Sequence, residues 1–181
     1  MTLAASSVRA IGVLSTGLLA LGMLAACAPA PEPEPEPTET ALFSSDEEAF
    51  AAAEETYRAY TDAQNDARQG DADPNDYLVG SALEGAIDGK RALEEAGLQL
   101  DGSVGLAEFR PIPESIDPGR EELVAIVCLD LTALRTLNDQ GEDVTPANRP
   151  DVIAMNVTMR WTKTSYMISE ERDEDNAQCA A

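Results

Sequence analysis

ELVAIVCLDL, residues 122–131, is the stretch on which the fold turns. Between Leu123 and Leu129 no polar side chain interrupts it, so both faces of an extended chain would be apolar. That pattern predicts a central strand, because only a strand covered on both sides buries every side chain. Downstream, residues 152–161 alternate: Ile153, Met155, Val157, Met159 and Trp161 on one face, Ala154, Asn156, Thr158 and Arg160 on the other. A strand with one face on a core reads this way. Tyr166, Met167 and Ile168 predict a last strand. The tail that follows, EERDEDNAQ at 170–178, has no apolar face and is expected to be solvated until Cys179. Upstream, Leu98-Gln99-Leu100 runs into Asp101-Gly102, a strong hairpin signal. The returning strand should run toward Phe109 and be broken by Pro111 and Pro113, which suits a strand end or sheet edge.

Before Leu98 the period is helical. Ser45-Asp46-Glu47-Glu48 is a capping box, with Ser45 as N-cap and Glu48 at the third helical position. Phe50, Ala53, Tyr57, Tyr60 and Ala67 then share one face, interrupted by Gln64. Gly70 ends this helix, and Asp73-Pro74 starts a short one with proline at its tolerated first position. Ser81 and Glu84 form a second capping box. The third helix directs Leu83, Ala86, Ile87 and Leu93 inward and stops at Gly97; Gly85 and Gly89 each weaken it by roughly 1 kcal/mol. Helices first and strands afterwards predict an α+β domain over residues 43–181, with the helices on one face of an antiparallel sheet.

The N-terminal 42 residues belong to a different regime. Arg9 precedes the apolar run AIGVLSTGLLALGMLAA, residues 10–26. A positive start, an apolar stretch and small residues before a cut describe a secretory signal peptide over 1–26. Seventeen residues sit at the lower limit for spanning a bilayer, and the glycines and serine argue against a transmembrane helix. Leu24-Ala25-Ala26-Cys27 resembles the lipobox of bacterial lipoproteins. The resemblance implies that the Cys27 thiol carries a diacylglyceryl group, with acyl chains such as palmitate, and becomes the mature N-terminus. Two chains hold a protein on a membrane stably, each buried methylene contributing about 0.8 kcal/mol. It also implies a cell-membrane location on the extracytoplasmic face. Residues 28–41, APAPEPEPEPTETA, alternate proline with glutamate and predict an extended, charged tether of up to ~40 Å; with Cys27 it occupies residues 27–42. The alternation offers no PxxP docking pattern with a basic anchor.

If Cys27 is acylated, Cys128 and Cys179 remain as an even pair in an oxidising compartment, and a disulfide between them follows. The formal net charge is −22, and loss of Arg9 with the signal makes it one unit more negative. Nucleic acid is excluded as a partner, because phosphate binding depends on lysine and arginine. The charge also repels an anionic membrane surface, and its main effect is solubility.

The order of elements, with a mid-sheet Cys128 and a C-terminal Cys179, is similar to the nuclear transport factor two-like cone fold over residues 43–181. That family includes ketosteroid isomerases and polyketide cyclases, and the resemblance implies a curved cone- or cystatin-like sheet. Enzymes of this shape place a carboxylate base and an oxyanion donor inside the cone. Tyr57, Tyr60 and Asp130 are the candidates here, but none matches a family motif residue by residue, so no catalytic role carries over.

Other chemistry is narrowed by composition. The chain has no histidine, which removes Ser-His and Cys-His catalysis and His-ligated zinc. No phosphate-cradling glycine loop is present. Asp71-Ala72-Asp73-Pro74-Asn75-Asp76 imitates half of an EF-hand loop, but Asp76 and Ala82 stand where glycine and a bidentate glutamate belong, so no metal or cofactor is expected. Asn156-Val157-Thr158 matches a glycosylation sequon, discounted within a strand of a bacterial-type lipoprotein. The expectation is a non-catalytic, lipid-anchored module that binds an unidentified protein or small molecule. The alternative is an isomerase or cyclase using a buried aspartate and a tyrosine.

Overall fold

A computed structural model describes residues 42–70, 72–175 and 179. The signal segment, Cys27, the tether through residue 41 and Asp71 lie outside the described residues. Two α-helices, α1 (Asp46–Ala67) and α2 (Gly80–Glu95), flank a 3-10 turn at Pro74–Tyr77. Six strands follow: β1 (Leu98–Asp101), β2 (Gly105–Pro111), β3 (Glu122–Asp130), β4 (Arg135–Asn138), β5 (Val152–Thr162) and β6 (Ser165–Asp173). The main sheet is antiparallel in the order β2-β3-β5-β6, and β1 with β4 forms a separate antiparallel ribbon. The domain is therefore α+β, as its order of periodicities predicts.

β3 lies inside the sheet, and its odd-numbered side chains meet α1. Leu123 and Val127 are buried together with Val157 and Met159 of β5, Tyr166 and Ile168 of β6, and Ala49, Phe50, Ala53, Tyr57 and Tyr60 of α1, and Ala125 between them on the strand is fully buried. On the other face, Cys128 is fully buried by its disulfide to Cys179, with Cα atoms 5.7 Å apart. The bond closes the chain over a separation of 51 residues and holds Cys179 against this face of the sheet, beside the Ile153 carbonyl. A second apolar cluster, Val104, Leu131 and Leu134, closes the end near the ribbon. Asn65 joins it to α1 by a paired bond: its amide donates to the Val104 carbonyl and its carbonyl accepts the Val104 N–H, both at 2.9 Å.

Ser45 caps α1, accepting the Glu48 N–H at 3.3 Å, while the Glu48 carboxylate reaches past the cap to the Ser44 N–H at 2.8 Å. The second capping box does not form. α2 starts at Gly80, and the Ser81 hydroxyl donates instead to the Ser169 carbonyl of β6. α2 packs less deeply than its apolar spacing predicts: Ala82 is buried, Leu83, Ala86 and Leu93 are half-buried, and Ile87 is 43% exposed.

The Asp101-Gly102 hairpin is corrected. β1 pairs with β4, Leu100 opposite Thr136, and does not fold back onto β2. Gly102, at φ +88°, is needed for close approach: a Cβ there would lie 2.0 Å from the Ala133 carbonyl oxygen. The same glycine that signals a tight turn here lets two backbones cross. Residues 170–173 are also corrected, from solvated tail to the end of β6.

Candidate functional site

The polar centre of the domain is built from α1 and β6. Tyr57 and Tyr60, three residues apart, occupy adjacent places on the buried face of α1. β6 supplies a carboxylate through an irregularity in its pairing. Ile168 stands opposite Met159, but Glu170 stands opposite Thr158, so Ser169 is an extra residue in the ladder. Such a bulge reverses the alternation beyond it. Glu170 therefore keeps company with outward-facing Thr158, while Glu171, opposite fully buried Val157, turns onto the core face. The bulge is held on both sides. The Ser169 hydroxyl donates to the Thr158 carbonyl, the Ser169 carbonyl accepts from Ser81, and the neighbouring Ile168 carbonyl accepts the Val79 N–H at 2.9 Å.

Glu171 accepts the Tyr57 hydroxyl on Oε1 at 2.8 Å and the Tyr60 hydroxyl on Oε2 at 3.2 Å. The Gln64 amide donates to the Tyr60 oxygen at 2.8 Å, completing a chain of hydrogen bonds. Gln64, which interrupts the apolar stripe of α1, thereby finds its partner. Burial raises the proton affinity of Glu171, and the two phenol bonds oppose that rise without cancelling it. Burial first, then the nearby Glu171 charge, holds the Tyr57 and Tyr60 hydroxyls well above their ordinary pKa. Both tyrosines are nearly inaccessible, at 1% and 4% exposure. Their rings pack edge-on at 5.6 Å, and Tyr57 also meets Phe109 at 6.3 Å. The carboxylate thus has both oxygens occupied by neutral donors, which anchors the edge strand β6 to α1.

Asp130 stands elsewhere. It ends β3, five residues along the strand from Ala125, whose row contains Val157 and Glu171; that places it roughly 17 Å away. Its carboxylate accepts the Thr132 N–H at 2.8 Å, and that bond holds its pKa below the ordinary value. The structure brings Tyr57 and Tyr60 together and leaves Asp130 outside. Glu171 carries no marker in the sequence, where it is one of a run of charged residues; the only signal for it is a strand that continues past Ile168. Asp73 caps the 3-10 turn, accepting the Asn75 N–H at 3.0 Å. Among the described residues no three carboxylates or cysteines cluster as metal ligands do.

A surface cleft of about 350 Å³ opens between α1, the 3-10 turn and the β5–β6 hairpin. Ala52, Thr56 and Ala59 of α1 face Trp161, Tyr166 and Met167 across it, with Tyr77, Glu55 and Asp76 completing its walls. Trp161 is half-buried and braced by two aromatic neighbours, Phe43 at 5.0 Å and Tyr166 at 5.3 Å, both edge-on. The Tyr166 hydroxyl donates to the Arg120 carbonyl at 2.6 Å, so this wall is fixed to the β2–β3 connection. Burial pushes the Tyr166 pKa up to about 12. On the opposite face of the sheet Arg160 donates to Glu122 at 2.6 Å across the strands, as an exposed pair.

The chain matches no known family model. Nor does any curated protein or solved structure match it.

Proposed function

We propose that this chain is an extracytoplasmic lipoprotein, held on the cell membrane by acyl chains on Cys27. Its α+β domain is read as a non-catalytic binding module for an unidentified protein or small-molecule ligand. The observation that carries the reading is the Cys128–Cys179 disulfide. It uses two of the three cysteines, leaving Cys27, at the end of the apolar segment, with no partner in the chain. A disulfide also suits an exported protein. The finer description of the sheet as a cone belongs to the same proposal. Its support is the pair of register shifts, at Leu106/Glu108 in β2 and Thr158/Met159 against β6, since bulges bend and twist the strands that carry them.

Binding is preferred to isomerase or cyclase chemistry because Tyr57 and Tyr60 spend their hydroxyls on Glu171 and fill the space around it. The test is the mass of the mature protein together with the distribution of a Cys27→Ser variant. The reading expects a diacylated N-terminal Cys27 and a variant released from membranes. An unmodified residue 27, or a variant that stays membrane-bound, overturns it.

A further inference from the structure

We propose that the cleft between α1 and the β5–β6 hairpin receives an arginine side chain presented by a partner protein. The proposal rests on the reading of the domain as a binding module and names its ligand chemistry; it does not depend on the lipid anchor. Three features of the cleft carry it. Trp161 is partly exposed at the cleft, and Phe43 and Tyr166, themselves stacked at 5.6 Å, hold it edge-on at 5.0 and 5.3 Å, so an aromatic surface is in place before any ligand arrives. Glu55 and Asp76, from separate elements, line the same opening and are exposed. Neither carboxylate takes a hydrogen bond or ion pair among the described residues, in contrast to Glu54, which is held by Arg58 at 2.7 Å.

An aromatic face beside unpaired carboxylates is complementary to one side-chain chemistry above others. A planar guanidinium stacks on an indole and at the same time presents N–H groups from its edge to carboxylates. An ammonium group is a point charge and cannot occupy both contacts as well. Anionic ligands are disfavoured by the two carboxylates and by a formal net charge of −22. The size of the opening, about 350 Å³, suits one side chain and its flanking backbone better than a large organic molecule. Arg58, Arg160 and Lys163 each adjoin a lining residue in sequence, but none of them lines the cleft.

The cleft contains its own reporter, because Trp161 is the single tryptophan of the chain. The full chain, kept in a neutral detergent, is titrated with an end-blocked Ala-Arg-Ala peptide while tryptophan emission is recorded. The citrulline peptide, identical in shape but uncharged, and the lysine peptide serve as comparisons. The expected result is a saturable change with the arginine peptide and binding at least about tenfold weaker with each of the others. The Glu55→Gln/Asp76→Asn variant, altered only at exposed positions, should keep the emission of the free protein and lose about tenfold or more in affinity. Equal binding of the citrulline or lysine peptide overturns the proposal. So does undiminished arginine binding by the double variant, which would indicate general attraction to an acidic protein.

Discussion

Replacing Tyr57 by phenylalanine deletes one hydroxyl from a ring that keeps its packing. That hydroxyl donates at 2.8 Å to Glu171, in surroundings from which water is nearly excluded. A hydrogen bond to an ionised partner contributes roughly 1.5–3 kcal/mol, and a domain of this size loses about 3 °C of Tm per kcal/mol. Tyr57→Phe should therefore melt about 5–9 °C below the parent at neutral pH. The effect depends on pH with a definite sign. Glu171 has a raised pKa in the folded state, so its ionisation opposes folding. Stability linked to it is fully present below the ordinary carboxylate pKa and is lost as pH rises through the raised value. The Tyr57 hydroxyl favours the ionised form and limits that loss. The penalty of Tyr57→Phe should consequently be largest at neutral pH and smaller in acid, where Glu171 is protonated. Urea unfolding followed by Trp161 emission at both pH values measures it. Glu171→Gln, which removes the titration, should abolish the pH dependence of the penalty. An unchanged midpoint, or a greater loss in acid than at neutral pH, would refute the assignment of Glu171 as a buried acceptor.

Gly102→Ala should destabilise by roughly 3 kcal/mol or more, combining left-handed strain with a Cβ placed on the Ala133 carbonyl. Gly70→Ala is its control: φ is +89° there but no atom lies within 4 Å, so only about 1–2 kcal/mol is expected. Similar melting shifts for the two would contradict the crossing geometry. Asn65→Ala strips partners from the N–H and carbonyl of buried Val104 and should cost roughly 2–4 kcal/mol in chemical denaturation. Paired replacement of Cys128 and Cys179 by serine should lower stability by about 4 kcal/mol, from the chain entropy of a 51-residue separation. A loss under 1 kcal/mol would mean that the C-terminal segment is held by other contacts.

Much of the domain could be read from periodicity. β3 and β5 follow from an apolar run and an alternating one, α1 from a cap and a stripe, and the edge position of β2 from its terminal proline. Errors fall where one local signal serves two geometries. Asp101-Gly102 is compatible with a hairpin and with a backbone crossing, and only the position of Ala133 distinguishes them. Ser81 offers a cap to its own helix but is taken by the Ser169 carbonyl. Ile87 has the spacing of a core residue, yet α2 meets the sheet chiefly along β6 and leaves that side in solvent.

By itself the sequence determined the class of the fold, because burial of apolar side chains at a period of 3.6 or 2 depends on local order along the chain. It also determined what chemistry is closed to the protein, since a chain without histidine cannot use one. The polar centre was decided only in three dimensions. One unpaired residue at Ser169 reverses which glutamate enters the core, and that residue is fixed by contacts from α2 and β5, distant in sequence. Strand parity beyond a bulge is a property of the ladder, not of the strand, so Glu171 became legible only once its neighbours were in place.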